Sequence, residues 1–266
     1  MDFLSIKDKT YFIAGVANKK SVAYFSAKTL MENGARCLFS VQSETQTEAI
    51  KKLFPDSPVF VCDVENEQHL KALPIEIRKH TDKLDGFLHS LAFANFSEGV
   101  KPFHETKRTD YLQAAQISCF SLVEVANTLK DLFAPEASVV TISISNTKAT
   151  SYGYLGPIKA MLDATVPFLA KSFSEFSKIR VNAVGAGPLK TSASAGIPDY
   201  IDNYLFAEEL TLRKEALATQ EVANTVCFLL SPKSSGINAS TVVVDAGMSS
   251  NYFDQHVVKK FTKNKL

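Results

Sequence analysis

The chain of 266 residues is 45% hydrophobic and 21% charged, a balance that fits a folded globular protein and excludes disordered, collagen-like or coiled-coil classes. Its formal net charge of +1 lacks the positive excess that a nucleic-acid partner demands. Cys37, Cys62, Cys119 and Cys227 are scattered, with no CxxC or Cys/His cluster, so buried reduced thiols are expected and neither zinc nor a redox dithiol is.

The N-terminal MDFLSIKDKT carries charges where a secretory signal needs an apolar core, and no long apolar run follows. A cytoplasmic protein without a membrane partner is the expectation. Short apolar runs rich in β-branched and aromatic residues then alternate with amphipathic segments, the rhythm of repeated βαβ units. Strands are predicted at Tyr11–Ala14, Arg36–Val41, Pro58–Cys62, Gly86–Leu91, Ser138–Ile144, Arg180–Val184 and Thr241–Val244. The first helix starts near Ser21, places Val22, Ala23, Phe25, Ala27, Leu30 and Met31 toward one face, and stops at Gly34. Others are predicted over about Asp110–Leu132, near Gly156–Phe173 and from about Thr219. The fold class is therefore α/β: a Rossmann-type doubly wound parallel sheet of seven strands, flanked by helices, in a single domain over residues 1–252. Residues 253–266 read as a basic tail without strand or cap signal, with Lys259, Lys260, Lys263 and Lys265 crowded together and Val257, Val258 and Phe261 free to dock.

In such a sheet, ligands bind beyond the carboxyl ends of the strands. After the first strand stand Gly15 and Ser21, a G-x5-S spacing. Gly15 lets the backbone approach a pyrophosphate, and Ser21 with the free N–H groups of the helix start, Val22 among them, can bond its oxygens. A plain N-cap also accounts for Ser21, and both roles can hold at once. After the second strand comes Val41-Gln42-Ser43-Glu44. The Gln42 amide suits ribose hydroxyls, and no Lys or Arg stands nearby to neutralise a 2′-phosphate, so NADH is predicted over NADPH. Asp63-Val64 offers a carboxylate for an adenine amino group beside an apolar wall, and Ser90-Leu91-Ala92 lets the chain pass close to a cofactor.

Beyond the fifth strand lies Tyr152-Gly-Tyr-Leu-Gly-Pro-Ile-Lys159. Seven residues of helix turn through about 700°, which puts Tyr152 and Lys159 on one face, whereas Tyr154 is about 140° away. Pro157 belongs in a first helical turn, so Tyr152 precedes the helix and can fold back toward Lys159, whose side chain points to the helix N-terminus. An ammonium there favours an ionised phenolate.

Together with His89-Ser90-Leu91 and Ala186-Gly187-Pro188-Leu189-Lys190-Thr191, these motifs resemble the bacterial NADH-dependent enoyl-ACP reductases of the short-chain dehydrogenase/reductase superfamily, over about residues 3–252. Tyr-x6-Lys separates that branch from ketoreductases with Tyr-x3-Lys, and Leu155 stands where the latter would need tyrosine. The resemblance implies hydride transfer from NADH to the β-carbon of a trans-2-enoyl thioester carried on acyl carrier protein, in fatty acid biosynthesis. It makes Tyr152 the donor to the developing enolate and Lys159 the grip on the nicotinamide ribose. It assigns Leu189 and Thr191 to the carboxamide and pyrophosphate, Ala94 and Tyr200 to the substrate, and about 192–210 to a lid. It also implies a homotetramer.

Several positions depart from that pattern. Ile144 occupies the place of a second active-site tyrosine, with Ser143 and Ser145 as alternative hydroxyls; Ala92 and Ala246 replace glycines; Asn203 and Tyr204 make the lid more polar. Two alternatives to enoyl reduction follow: a relative that reduces another substrate in specialised metabolism, or a catalytically silent NAD(H)-binding protein. His69, His80, His89, His104 and His256 show no ligand spacing, and His89 reads as a satisfied core group.

Overall fold

The structure is a computed structural model and describes residues 2–99, 101–191, 194, 197 and 200–262. Its centre is a fully parallel sheet of seven strands in the order β3-β2-β1-β4-β5-β6-β7. The strands are β1 (Thr10–Ala14), β2 (Arg36–Val41), β3 (Val59–Val61), β4 (Leu84–His89), β5 (Phe133–Ile144), β6 (Arg180–Ala186) and β7 (Thr241–Val244). Their near-continuous apolar character follows from burial on both faces, as in β1, where all five residues are buried.

Helices α1 (Val22–Glu32) and α2 (Glu44–Leu53) cover one face; α3 (Glu67–Arg78), α4 (Arg108–Ala115), α5 (Ser121–Leu129) and α6 (Leu155–Ser174) cover the other. Further along come α7 (Tyr200–Leu210), α8 (Thr219–Leu230), which joins α1 and α2 on the first face, and α9 (Gln255–Thr262). Two apolar clusters result, one around Phe12, Phe87 and Leu122 and one around Ile13, Phe39 and Val226, separated by the sheet. The strand order reverses between β1 and β4, which opens a crevice at their carboxyl ends.

β1, β3 and β6 differ from the sequence expectation by one or two residues at an end, and three departures bear on the site. β4 ends at His89, so Ser90 and Leu91 stand beyond the last ladder pair. β5 begins at Phe133, which pairs with Leu84 ahead of a register shift that brings Ser138 opposite Gly86. The single long helix expected to Leu132 is interrupted by a π-turn over Gln116–Phe120 and ends in a 3₁₀ turn over Lys130–Leu132. In the π-turn the Ser118 hydroxyl accepts from Phe93 N at 2.8 Å and donates to Phe93 O at 3.1 Å, pinning the loop after β4 to the helix. Such turns recur at functional sites.

The segment after residue 252 does carry a cap. Asp254 Oδ1 accepts from His256 N at 2.9 Å and Val257 N at 3.1 Å, and α9 follows with Val257 buried. Lys260 and His256 of α9 pair with Glu209 of α7 at 2.8 and 3.7 Å. Lys263 and Lys265 lie outside the described residues, and the side chain of Phe261 is likewise not described. All four cysteines are buried and free, and burial raises the Cys62 and Cys227 thiols to about 12. No described helix is long and apolar enough to cross a membrane.

Candidate active site

A cleft of about 800 Å³ opens at the carboxyl end of the sheet, where the topology places the crevice. It is lined by Gly15, Ser21, Val22, Gln42, Asp63, Val64, Ser90, Leu91, Tyr152, Lys159, Leu189, Thr191 and Tyr200, the predicted set save one. The exception is Ala94, which is half-buried against the apolar cluster beneath α4–α6 and does not reach the cleft. The preceding residue, Phe93, is held to the π-turn by the two Ser118 hydrogen bonds.

The residues fit a dinucleotide. Gly15 has φ +102°, and a Cβ there would stand 2.1 Å from Ser90 O, so only bare backbone passes this point. Ser21 is the N-cap of α1: its hydroxyl accepts from Tyr24 N at 3.2 Å and donates to Asn18 O at 2.9 Å. The hydroxyl is thus committed to the chain, and the first-turn N–H groups of Val22 and Ala23, which have no intrahelical acceptor, are the donors left for an anion. Gln42 is exposed at one end of the cleft with its own N–H held by Gln46 Oε1 at 2.9 Å. Asp63 Oδ1 accepts from Glu65 N at 3.0 Å and His69 Nδ1 accepts from Asp63 N at 3.1 Å, which fixes the carboxyl after β3. Among the described lining residues only Asp63 and Lys159 are charged.

At the other end, Tyr152 closes a 3₁₀ turn, Gly153 at φ +59° reverses the chain, and α6 begins at Leu155 with Pro157 in its first turn. Tyr152 therefore precedes the helix and shares the cleft with Lys159. Tyr154 is buried elsewhere: its hydroxyl donates to Asn95 O at 3.2 Å and its ring packs on Phe96 and Tyr111. Lys159 Nζ donates to Ile142 O at 2.8 Å, and burial, partly offset by Asp163, brings its pKa down to about 8. The expected ionisation of Tyr152 does not follow. Burial, reinforced by Tyr200, pushes its phenol well above the usual tyrosine range, so it stays a neutral donor.

Ile144 lines the cleft as an apolar wall. Ser143 and Ser145 line it too, and the buried Ser143 hydroxyl stands beside the Asp163 carboxyl. Ala92 also lines the cleft, and Ala246 adopts φ +52°, a conformation that glycine takes at less cost. Of the two polar residues noted in the expected lid, Asn203 lines the cleft, whereas Tyr204 is buried with Lys190 Nζ 4.4 Å above its ring. Residues 192, 193, 195, 196, 198 and 199 of the expected lid lie outside the described residues. Sequence reasoning missed the apolar lining from Phe93, Ile117, Phe206, Leu210 and Met248, contributed by four separate segments with no common motif.

His89 is held beneath the site. Ser121 Oγ donates to Ile117 O at 2.6 Å, so it accepts from His89 Nε2 at 2.8 Å, and Nδ1 accepts from Thr141 Oγ1 at 2.8 Å. Burial and nearby Lys159 lower its pKa to about 3, which keeps it neutral.

A family model described as enoyl-(acyl carrier protein) reductase matches residues 15–249. The chain belongs to the enoyl-ACP reductase family. It is 33% identical to the NADH-dependent enoyl-ACP reductase FabI of Enterococcus faecalis over 91% of this chain and 98% of that relative. The same identity relates it to an NADPH-dependent FabI of Staphylococcus aureus, over 92% and 98%. Among solved structures, FabI of Candidatus Liberibacter asiaticus superposes with a TM-score of 0.88 at 30% identity, covering 93% of this chain and 98% of that one.

Proposed function

We propose that this family member reduces the double bond of a trans-2-enoyl thioester presented on acyl carrier protein, with NADH as the reductant, in cytoplasmic fatty acid synthesis. The observation that carries the reading is a neutral Tyr152 sharing one cleft with the buried Lys159 at the end of a dinucleotide-shaped crevice. NADH, when bound, would supply the hydride to the β-carbon, and the resulting enolate would take a proton at its α-carbon from solvent. Tyr152 donates a hydrogen bond to the thioester oxygen as negative charge develops there, and its raised pKa keeps the donor proton in place at neutral pH. Lys159, anchored on Ile142 O, holds the nicotinamide ribose hydroxyls with its remaining N–H groups. Gly15, Ser21, Val22, Ser90, Leu91, Leu189 and Thr191 form the bed for the dinucleotide. Gln42 and Asp63 with Val64 take the adenosine end, and Tyr200 faces the substrate.

The lining favours NADH over NADPH in this reading: among the described lining residues Lys159 is the one cation, and it lies at the opposite end from the Gln42 site where a 2′-phosphate would need one. A homotetramer is part of the same reading, carried by family resemblance alone.

Tyr152→Phe tests the proposal. With a short trans-2-enoyl-ACP and NADH, the wild-type protein should consume reduced nicotinamide, with a lower KM for NADH than for NADPH. Loss of the donor should lower kcat by about 10²-fold or more while NADH binding persists. Unchanged turnover in the variant would remove tyrosine-assisted reduction.

A further inference from the structure

Leu189, in the loop that follows β6, lines the cleft; its N–H and C=O are each bonded by a side chain of the chain itself, and the C=O accepts from Thr191 N at 3.1 Å as well. Leu189 N donates to the Tyr200 hydroxyl at 2.9 Å, and the Ser194 hydroxyl donates to Leu189 O at 2.8 Å. Ser194 is further tied to this loop, accepting from Thr191 N at 2.9 Å and standing 2.8 Å from Thr191 O. Lys190 adds its stack on Tyr204, so loop and α7 are joined at several points. Tyr200 lines the same cleft as Tyr152.

A nicotinamide ring offers a protein one neutral hydrogen-bonding handle, a primary carboxamide with a C=O acceptor and an N–H donor. A phenol oxygen set on a peptide N–H, together with a hydroxyl set on the same residue's C=O, presents that pattern of acceptor and donor from within the protein. We propose that Tyr200 and Ser194 are a built-in stand-in for the carboxamide: they latch α7 to Leu189 until the nicotinamide displaces them, and so set the affinity for the reduced cofactor. The proposal rests on the dinucleotide reading above and adds to it two positioning residues and a coupling between cofactor and α7.

The coupling has a definite sign. Displacing the latch costs the cofactor part of its binding energy, because only the unlatched fraction of the free protein accepts the ring. Removing the Tyr200 hydroxyl should therefore tighten NADH binding by about two- to tenfold, the worth of one net hydrogen bond. ADP-ribose, which carries the adenosine, the pyrophosphate and the second ribose but no nicotinamide, should bind the wild-type protein and the variant alike.

The experiment measures dissociation constants of NADH and of ADP-ribose, by calorimetry, for the wild-type protein, Tyr200→Phe and Ser194→Ala. A lower NADH constant in each variant with an unchanged ADP-ribose constant supports the latch. Constants for NADH that are unchanged or higher overturn it, as does a parallel shift for both probes, which marks a change of the site as a whole. A wild-type protein that binds neither probe overturns the dinucleotide reading along with the latch, which separates the two failures.

Discussion

Lys159 carries the pH dependence of the site. Its folded pKa of about 8 lies below the ordinary 10.5, so between those values the folded protein has released a proton that the unfolded chain keeps. Stability from this group therefore rises with pH across that window, while the ammonium needed for the ribose hydroxyls is lost. A profile of kcat/KM for NADH should fall above about pH 8. Lys159→Met should be weak and flat there; a limb near the ordinary lysine value in the wild-type protein would contradict the burial argument. Tyr152 titrates too high to supply this limb. That Tyr152 and Lys159 share one cleft was legible from a seven-residue spacing and a proline. The protonation state of Tyr152 was not, because it depends on burial by residues distant in sequence, Tyr200 among them. The packing of Ala94 against the core was not legible for a similar reason: its neighbour Phe93 is held by Ser118, on another element.

Several element ends, including ones at the edge of the sheet opposite the cleft, are held by polar groups that strand and helix periodicity do not reveal. Arg180, at the start of β6, is the clearest case: buried, it donates to Leu229 O at 3.2 Å, Ser234 O at 2.9 Å, Ser234 Oγ at 2.7 Å and Ser231 O at 3.0 Å. These bonds tie β6 to the C-terminal end of α8. Arg180→Ala leaves several buried carbonyls without donors and should cost about 3 kcal/mol or more, read as a lower midpoint in urea unfolding. A change within about 0.5 kcal/mol would mean that water replaces the guanidinium there. The strands themselves were readable because parallel sheets concentrate β-branched and aromatic residues; β2 and β7 have the predicted bounds. The π-turn was not readable. It arises from Ser118 and Ser121 reaching Phe93 and His89, contacts made between segments roughly 25 to 32 residues apart.

For the whole molecule, fold and crevice follow from one fact legible in the sequence, seven apolar runs spaced for crossover helices, and the comparisons place the chain in the family that those runs and motifs resemble. The arrangement over the cleft is less legible, since α7 and α9 meet through Glu209, Lys260 and His256, and Lys214 reaches Asp254 at 2.5 Å, pairs with no short-range signature. What the molecule does is decided by where the hydride goes. The most direct measurement supplies NADH deuterated at the transferred position of the nicotinamide together with a trans-2-enoyl-ACP, and locates the label by mass spectrometry. One deuterium on the β-carbon of a saturated acyl thioester is the predicted result. Oxidation of NADH with the double bond intact, or no transfer from a protein that binds the cofactor, would contradict enoyl reduction.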